Sequence, residues 1–301
     1  MRIGFIGAGK VATAFGQYLY NCGLTISGYH DLHGEKVDHA CRQTHSRAFR
    51  SAAEVATASD IVLITTRDDQ IAGVCDSLCR QQVIDAHHLV GHMSGAHASV
   101  ILAQAADRGA AIFSLHPLQA FADENKALAA LPNTYFSLEG TDDRLNSLQP
   151  LLEKAAIRFF RIAPQHKSLY HMAACILSNY LVTLMDFGLQ TLEQSGIPPQ
   201  EGFQAMLPLI QGTIANIGQM GPDRALTGPI ARGDAGTIRQ HLQALDAQGL
   251  KELKETYLYW GLKTLALARR VILKEPEKAA ALQGLFEEKT DSSTSPIPQT
   301  P

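Results

Sequence analysis

"RIGFIGAGKVATAFGQYL", residues 2–19, decides how the rest of the chain is read. Arg2 to Ile6 is a short apolar run of the kind that forms a buried strand, and the residues from Lys10 onward carry helical spacing. Between them stand Gly7, Gly9 and Ala12 in the order G-x-G-x-x-A. The first glycine permits a tight turn, the second lets a pyrophosphate approach the backbone, and the small third residue lets helix and strand pack closely. The helix start then offers free N–H groups and the positive end of a dipole. Gly7, Ala8, Gly9, Lys10, Val11 and Ala12 are therefore the expected phosphate turn of a dinucleotide site.

Working outward, short β-type runs recur up to about residue 162: "LTISGY", "DIVLITT", "HLVGHM", "AAIFSL", "TYFSLE" and "IRFFRI". Helical stretches alternate with them, which predicts an α/β Rossmann-type domain with a largely parallel sheet over residues 1–163. Beyond Pro164 the pattern becomes long helical periodicity, at about 166–194, 199–218, 234–247 and 250–273. An all-α domain is expected over 164–289, serving substrate binding or dimerisation. The last stretch, "TDSSTSPIPQTP", has too few apolar groups to offset the entropy of ordering, so 290–301 reads as a disordered tail.

Composition narrows the function classes. A 301-residue chain with 46% hydrophobic residues can build two cores. The balance of 26 basic against 29 acidic residues, without a basic cluster, argues against nucleic-acid and membrane-surface partners. Five cysteines without disulfide or zinc spacing fit a reducing, cytoplasmic setting. The apolar N-terminus is interrupted too soon for a signal peptide, and no later run reads as long and apolar enough to span a bilayer without polar interruption. His30, His33, His39, Cys41 and His45 invite a zinc reading, but their spacing matches no known finger and no metal is expected.

Ligands of such sheets bind beyond the strand C-termini. Asp31, after the second strand, is placed to bind the adenosine ribose and to repel a 2′-phosphate, so the expected cofactor is NAD or NADP with a lean to NAD. Asp31 could instead cap the helix beginning near Gly34. Thr65, Thr66 and Arg67 border the cofactor after the next strand, where Asp68 or Asp69 caps the following helix. Ser94 and Gly95 in "HMSGAHAS", and His116 in "LHPLQAF", fall at the nicotinamide end. For His92 and His116 the alternative is a hydrogen-bonded core histidine.

"HKSLYHMAACILSN", residues 166–179, puts Lys167, His171 and Ser178 on one stripe of an oily helix and Asn179, Thr183 and Asp186 on a second. A Lys or His there can donate the proton that accompanies hydride transfer, and an Asn amide can orient a carbonyl or imine. Snorkelling of Lys167 and core burial of His171 is the competing reading. In "LTGPIARGD", an irregular turn between helices, Arg232 is a candidate to hold a carboxylate or phosphate, and Asp234 to cap the next helix.

"GFIGAGKVATAF", "HMSGA", "SLHPLQAF", "SLYHMAACILSNYL" and "ALTGPIARGDAGTIRQHL" together resemble a bacterial family that joins a Rossmann-like NAD(P)-binding domain to a helical domain called DUF2520. That family is similar in architecture to pyrroline-5-carboxylate reductases and to 6-phosphogluconate and β-hydroxyacid dehydrogenases. The resemblance implies an NAD(P)-dependent oxidoreductase, in a family with no agreed substrate. The expected reaction moves a hydride between NAD(P)H and a small carbonyl or imine with an acidic group held by Arg232, and a homodimer is expected. Relatives often carry a basic residue where this chain has Asp31. The alternative function is a non-catalytic, NAD(P)-responsive binding protein.

Overall fold

The computed structural model describes residues 1–287 except Thr141, so the expected tail at 290–301 lies outside the described residues. The chain divides into two compact units, Met1–Asn179 and Tyr180–Pro301. That division falls inside the helix Lys167–Gln194, whereas the change in sequence pattern falls at residue 163.

The first unit holds an eight-stranded sheet: β1 (Arg2–Ile6), β2 (Thr25–His30), β3 (Arg47–Ala48), β4 (Ile61–Ile64), β5 (Leu89–His92), β6 (Ala111–Pro117), β7 (Tyr135–Glu139) and β8 (Arg158–Arg161). Their order is β3-β2-β1-β4-β5-β6-β7-β8. Only the β6–β7 pair is antiparallel. Seven of these strands lie where the apolar runs put them; β3 has two residues, too few for any alternation to show. Because side chains alternate across a strand, Ile61 and Leu63 enter one core with Ile3, Phe5, Phe15 and Phe113, while Val62 and Ile64 enter a second with Ile71, Leu78 and Val90. The sheet is thus covered on both faces, as the continuous apolar runs require.

Strand order reverses between β1 and β4. Two loops leave the sheet side by side at that switch point, and a crevice for a ligand opens there.

The second unit is helical, with Pro199–Met220, Ala235–Ala247, Lys251–Val271 and Pro276–Glu287 as its main elements besides the end of Lys167–Gln194. Ile238, Leu242, Leu258, Leu265, Leu282 and Phe286 form its core. The stretch 226–234 is not wholly irregular. Gly228–Arg232 makes one short helix, started by Pro229 and ended by Gly233 in the left-handed conformation.

The expectation that no segment is long and apolar enough to cross a bilayer does not hold. Pro164–Gln194 is 31 residues long and has a mean hydropathy of 1.5 in its best window. It qualifies by length and composition only, with Ser178, Asn179, Thr183 and Asp186 set along the run. Leu177 (77% exposed), Val182 (69%) and Leu209 (66%) are the most open of its apolar residues and those of Pro199–Met220.

Candidate active site

The phosphate turn is built as its glycines require. Gly7 has φ +106°, and a Cβ there would lie 2.6 Å from the carbonyl oxygen of Thr65, so no other residue fits. Gly9 precedes the helix Lys10–Asn21 without any side-chain cap, and nothing stands within 4 Å of where its Cβ would be. The first-turn N–H groups of Lys10, Val11 and Ala12 therefore point into open space with the dipole behind them. Ala12 is fully buried against the sheet. The Lys10 ammonium is turned aside to the carbonyl of Ala122.

Beside this turn is a cavity of about 300 Å³ lined by Gly7, His30, Asp31, Thr66, Arg67 and Val74, among others. Asp31 does not cap the helix Gly34–Thr44. Its Oδ2 accepts the Ala8 N–H at 2.8 Å and its Oδ1 the His33 N–H at 2.9 Å. Burial raises the Asp31 carboxyl, but these N–H donors outweigh burial and hold it below the usual carboxylate range. The Thr66 hydroxyl is buried without a partner in the cavity wall, whereas Thr65 spends its hydroxyl on the carbonyls of Ile6 and Gly7. Arg67 is exposed and pairs with Asp69 at 3.4 Å. Uncapped helix terminus, open cradle at Gly9 and orphaned Thr66 hydroxyl all fit a dinucleotide, with the pyrophosphate on the turn and the adenosine in the cavity.

A second cavity of about 510 Å³ is lined by His116, Leu118, Gln119, His171, Cys175 and Asn179, with Pro117, Ala120, Ala174, Leu177 and Ser178. His171, Ala174, Cys175 and Ser178 follow one another here at helical spacing, and Asn179 is the one member of the second stripe that joins them. His116 and His171 flank Gly95. A Cβ on that residue would lie 2.7 Å from His116 Nε2 and 2.6 Å from His171 Nδ1. His171 Nε2 stands 3.6 Å from the Cys175 sulfur, and its Nδ1 is buried with no partner. Burial, helped by Lys167 and His171 nearby, pushes the His116 imidazole down to about 4, so it is neutral at physiological pH.

Lys167 is absent from this cavity. Its side chain is 1% exposed, and its Nζ donates to Ser114 Oγ at 2.7 Å. Ser114 in turn donates to the Ser94 carbonyl at 3.3 Å. Burial pushes the ammonium down to about 8, against the pull of Glu139 and Asp68. Asp68 caps no helix; it accepts the Ser94 hydroxyl at 2.9 Å. Ser94 also receives the N–H groups of Ala96 and His97, so it shapes the loop around Gly95. His92 is fully buried, receives the Ser94 N–H at 3.2 Å, and is pushed down to about 4, chiefly by burial. It is a core histidine, and His116 is the one that reaches a cavity.

The site also contains groups that the sequence reading did not single out. Tyr170 bonds His116, Ser114 holds Lys167, and Glu139 accepts the Ser99 N–H and hydroxyl in the interior. Ser114 was visible in principle: it lies two residues before His116 on one strand, hence on the same face. In the second unit, Arg232 is exposed and has no ion-pair partner among the described residues. Asp234 caps the helix Ala235–Ala247 through the Thr237 N–H at 3.0 Å and Thr237 hydroxyl at 2.7 Å.

Comparison with known proteins agrees with this organisation. A Rossmann-like domain matches residues 1–117, and DUF2520, a domain of unknown function, matches residues 134–264. No curated protein matches the sequence. A candidate NADP oxidoreductase of Bacteroides fragilis shares 20% identity at a TM-score of 0.69, covering 89% of this chain and 98% of its own. An imine reductase of Streptomyces aurantiacus shares 11% identity at a TM-score of 0.65, covering 91% and 100%. A pyrroline-5-carboxylate reductase of Coxiella burnetii shares 17% identity at 0.56, covering 93% and 97%. At these identities the likeness is one of fold. The chain thus joins a Rossmann-like domain to a DUF2520 domain.

Proposed function

We propose that this protein is an NAD(P)-dependent oxidoreductase that transfers a hydride between the nicotinamide and a small carbonyl or imine compound. The observation that carries this reading is the pairing of a cradle fitted to a dinucleotide with a second cavity where His116 and His171 meet at Gly95. The cofactor would supply the hydride. Chain residues then have two tasks: to bind and orient the substrate, and to move one proton. His171 is the proposed proton donor, Asn179 and His116 orient the reacting group, and Leu118, Ala120 and Leu177 offer apolar contact to the substrate. Lys167 acts from behind, through Ser114 and the Ser94 loop, rather than by touching substrate. Fold neighbours that include an imine reductase and a pyrroline-5-carboxylate reductase support the substrate class.

Asp31 stays ionised beside the ribose position, which favours NAD over NADP. Arg232, free of an ion pair among the described residues, is proposed to bind an anionic group, a carboxylate or a phosphate. The apolar residues exposed on Lys167–Gln194 and Pro199–Met220, Leu177, Val182 and Leu209 among them, support a homodimer that would cover them. Five free thiols suit a cytoplasmic location.

The test is transfer of deuterium from 4-deuterated NADH or NADPH to a panel of small ketones, oxoacids and cyclic imines. Deuterated product is expected from the wild type, with a loss on the order of 10²-fold or more for His171→Ala. Full turnover by that variant would remove His171 from the mechanism.

A further inference from the structure

We propose that Tyr170 is a positioning residue that fixes His116 as the tautomer with its proton on Nε2, so that the imidazole presents an N–H donor to the cavity. The Tyr170 hydroxyl lies 2.8 Å from His116 Nδ1, with the two rings edge to face at 5.7 Å. Phe160 also packs edge to face with the phenol ring, with centroids 6.0 Å apart. On the antiparallel β6–β7 pair, His116 and Ser137 are directly opposed, so their side chains stand on one face of the sheet. The Ser137 hydroxyl is buried and makes no hydrogen bond, and the Tyr170 hydroxyl has no side-chain partner besides His116 among the described residues.

Counting protons decides the direction of the chain. If Tyr170 donates to His116 Nδ1, the phenol proton has an acceptor and the imidazole proton faces the cavity. If His116 Nδ1–H donated to Tyr170, the phenol proton would have no acceptor among the described residues, which is the costlier arrangement. His116 Nε2 has no partner among the described residues and opens beside Gly95 on the cavity. Its neutral N–H then fits an acceptor atom on the ligand, such as a carbonyl oxygen gaining negative charge as hydride arrives. The functional consequence rests on the oxidoreductase reading, but the tautomer itself does not.

The experiment is nitrogen-15 NMR of the histidine rings in the full-length protein, with His116 assigned by the signals missing from His116→Gln. Protonated and bare ring nitrogens resonate far apart, so the tautomer is read without any turnover. The wild type is expected to show a proton on Nε2 and a bare Nδ1. Tyr170→Phe is expected to give a mixture of tautomers and, if hydride transfer is observed, to lower kcat on the order of ten- to a hundredfold with little change in KM. Tyr170→Met, which keeps the bulk and lacks the hydroxyl, is expected to mix the tautomers too; it serves if Tyr170→Phe does not fold. A wild-type proton on Nδ1, or an unchanged Nε2 tautomer in the folded variants, overturns the proposal. Absence of turnover with the expected tautomer would count against the oxidoreductase reading alone.

Discussion

The Nζ of Lys167 donates to the Oγ of Ser114 across 2.7 Å, inside the sheet unit and out of contact with either cavity. A lysine at the start of an oily helix is therefore a strut between that helix and β6. It reaches the candidate site only through the Ser114–Ser94 connection.

This placement ties stability to alkaline pH. The folded state holds the Lys167 ammonium down to about 8, whereas the ordinary value is 10.5. Below pH 8 both folded and unfolded chains carry the proton, and the folded one bears the whole burial cost. Between about 8 and 10.5 the unfolded chain binds more protons, so the Lys167 contribution makes stability rise with pH. Urea unfolding at pH 8 and pH 10 should show the wild type gaining on Lys167→Met over that interval. Parallel behaviour of the two proteins would show that the amine is not buried as described.

His92 and His116 act at the acid end. Both imidazoles are held down to about 4 from an ordinary 6.5, first of all by burial. Above pH 6.5 they are neutral in both states. As pH falls from 6.5 toward 4 the unfolded chain takes up protons that the folded one refuses, and stability is lost. The proton uptake on unfolding at pH 5, obtained from the slope of stability against pH, should be smaller in His116→Gln than in the wild type.

Gly95 is the point where two imidazoles leave no room for a methyl group. Gly95→Ala should cost about 1–3 kcal/mol through overpacking and displace His116, His171 or both. Turnover should fall while cofactor affinity changes little, because the phosphate turn is untouched. Chemical denaturation and a cofactor titration on the same variant check both halves. Turnover equal to the wild type would mean that the two rings do not have to meet there.

Asp31 carries two expectations at once. Asp31→Ala removes the acceptor for the Ala8 and His33 N–H groups and the acid at the ribose. NADH affinity should fall on the order of tenfold, as for loss of a charge-assisted hydrogen bond, and the ratio of NADPH to NADH affinity should rise. A fall in both affinities by one factor would assign Asp31 to loop structure alone.

The sheet was legible because its signals are local: apolar runs of strand length, and glycines whose absent side chains the backbone turn demands. The helices of the second unit were legible for the same reason, by period. The site was read less evenly. His116, expected just past a strand, stands inside β6 near its end, and Asn179 was legible from its helix face; both line the second cavity. The burial of Lys167 depended on Ser114, 53 residues earlier, and spacing along one helix cannot report such a partner. Asp68 looked like a helix cap because it opens a helical turn, but the Ser94 hydroxyl, 26 residues away, takes its carboxylate. Tyr170 escaped notice because an aromatic residue on an oily helix is usually packing; only the fold brings it to His116.

The central claim is dinucleotide binding, and calorimetric titration of the purified protein with NAD⁺, NADH, NADP⁺ and NADPH tests it most directly. The account predicts saturable binding of one dinucleotide per chain, with NAD(H) preferred and the preference weakened in Asp31→Ala. Heats no different from dilution with all four would contradict it, leaving the open cradle at Gly9 and the unpartnered Thr66 hydroxyl to be explained by another ligand.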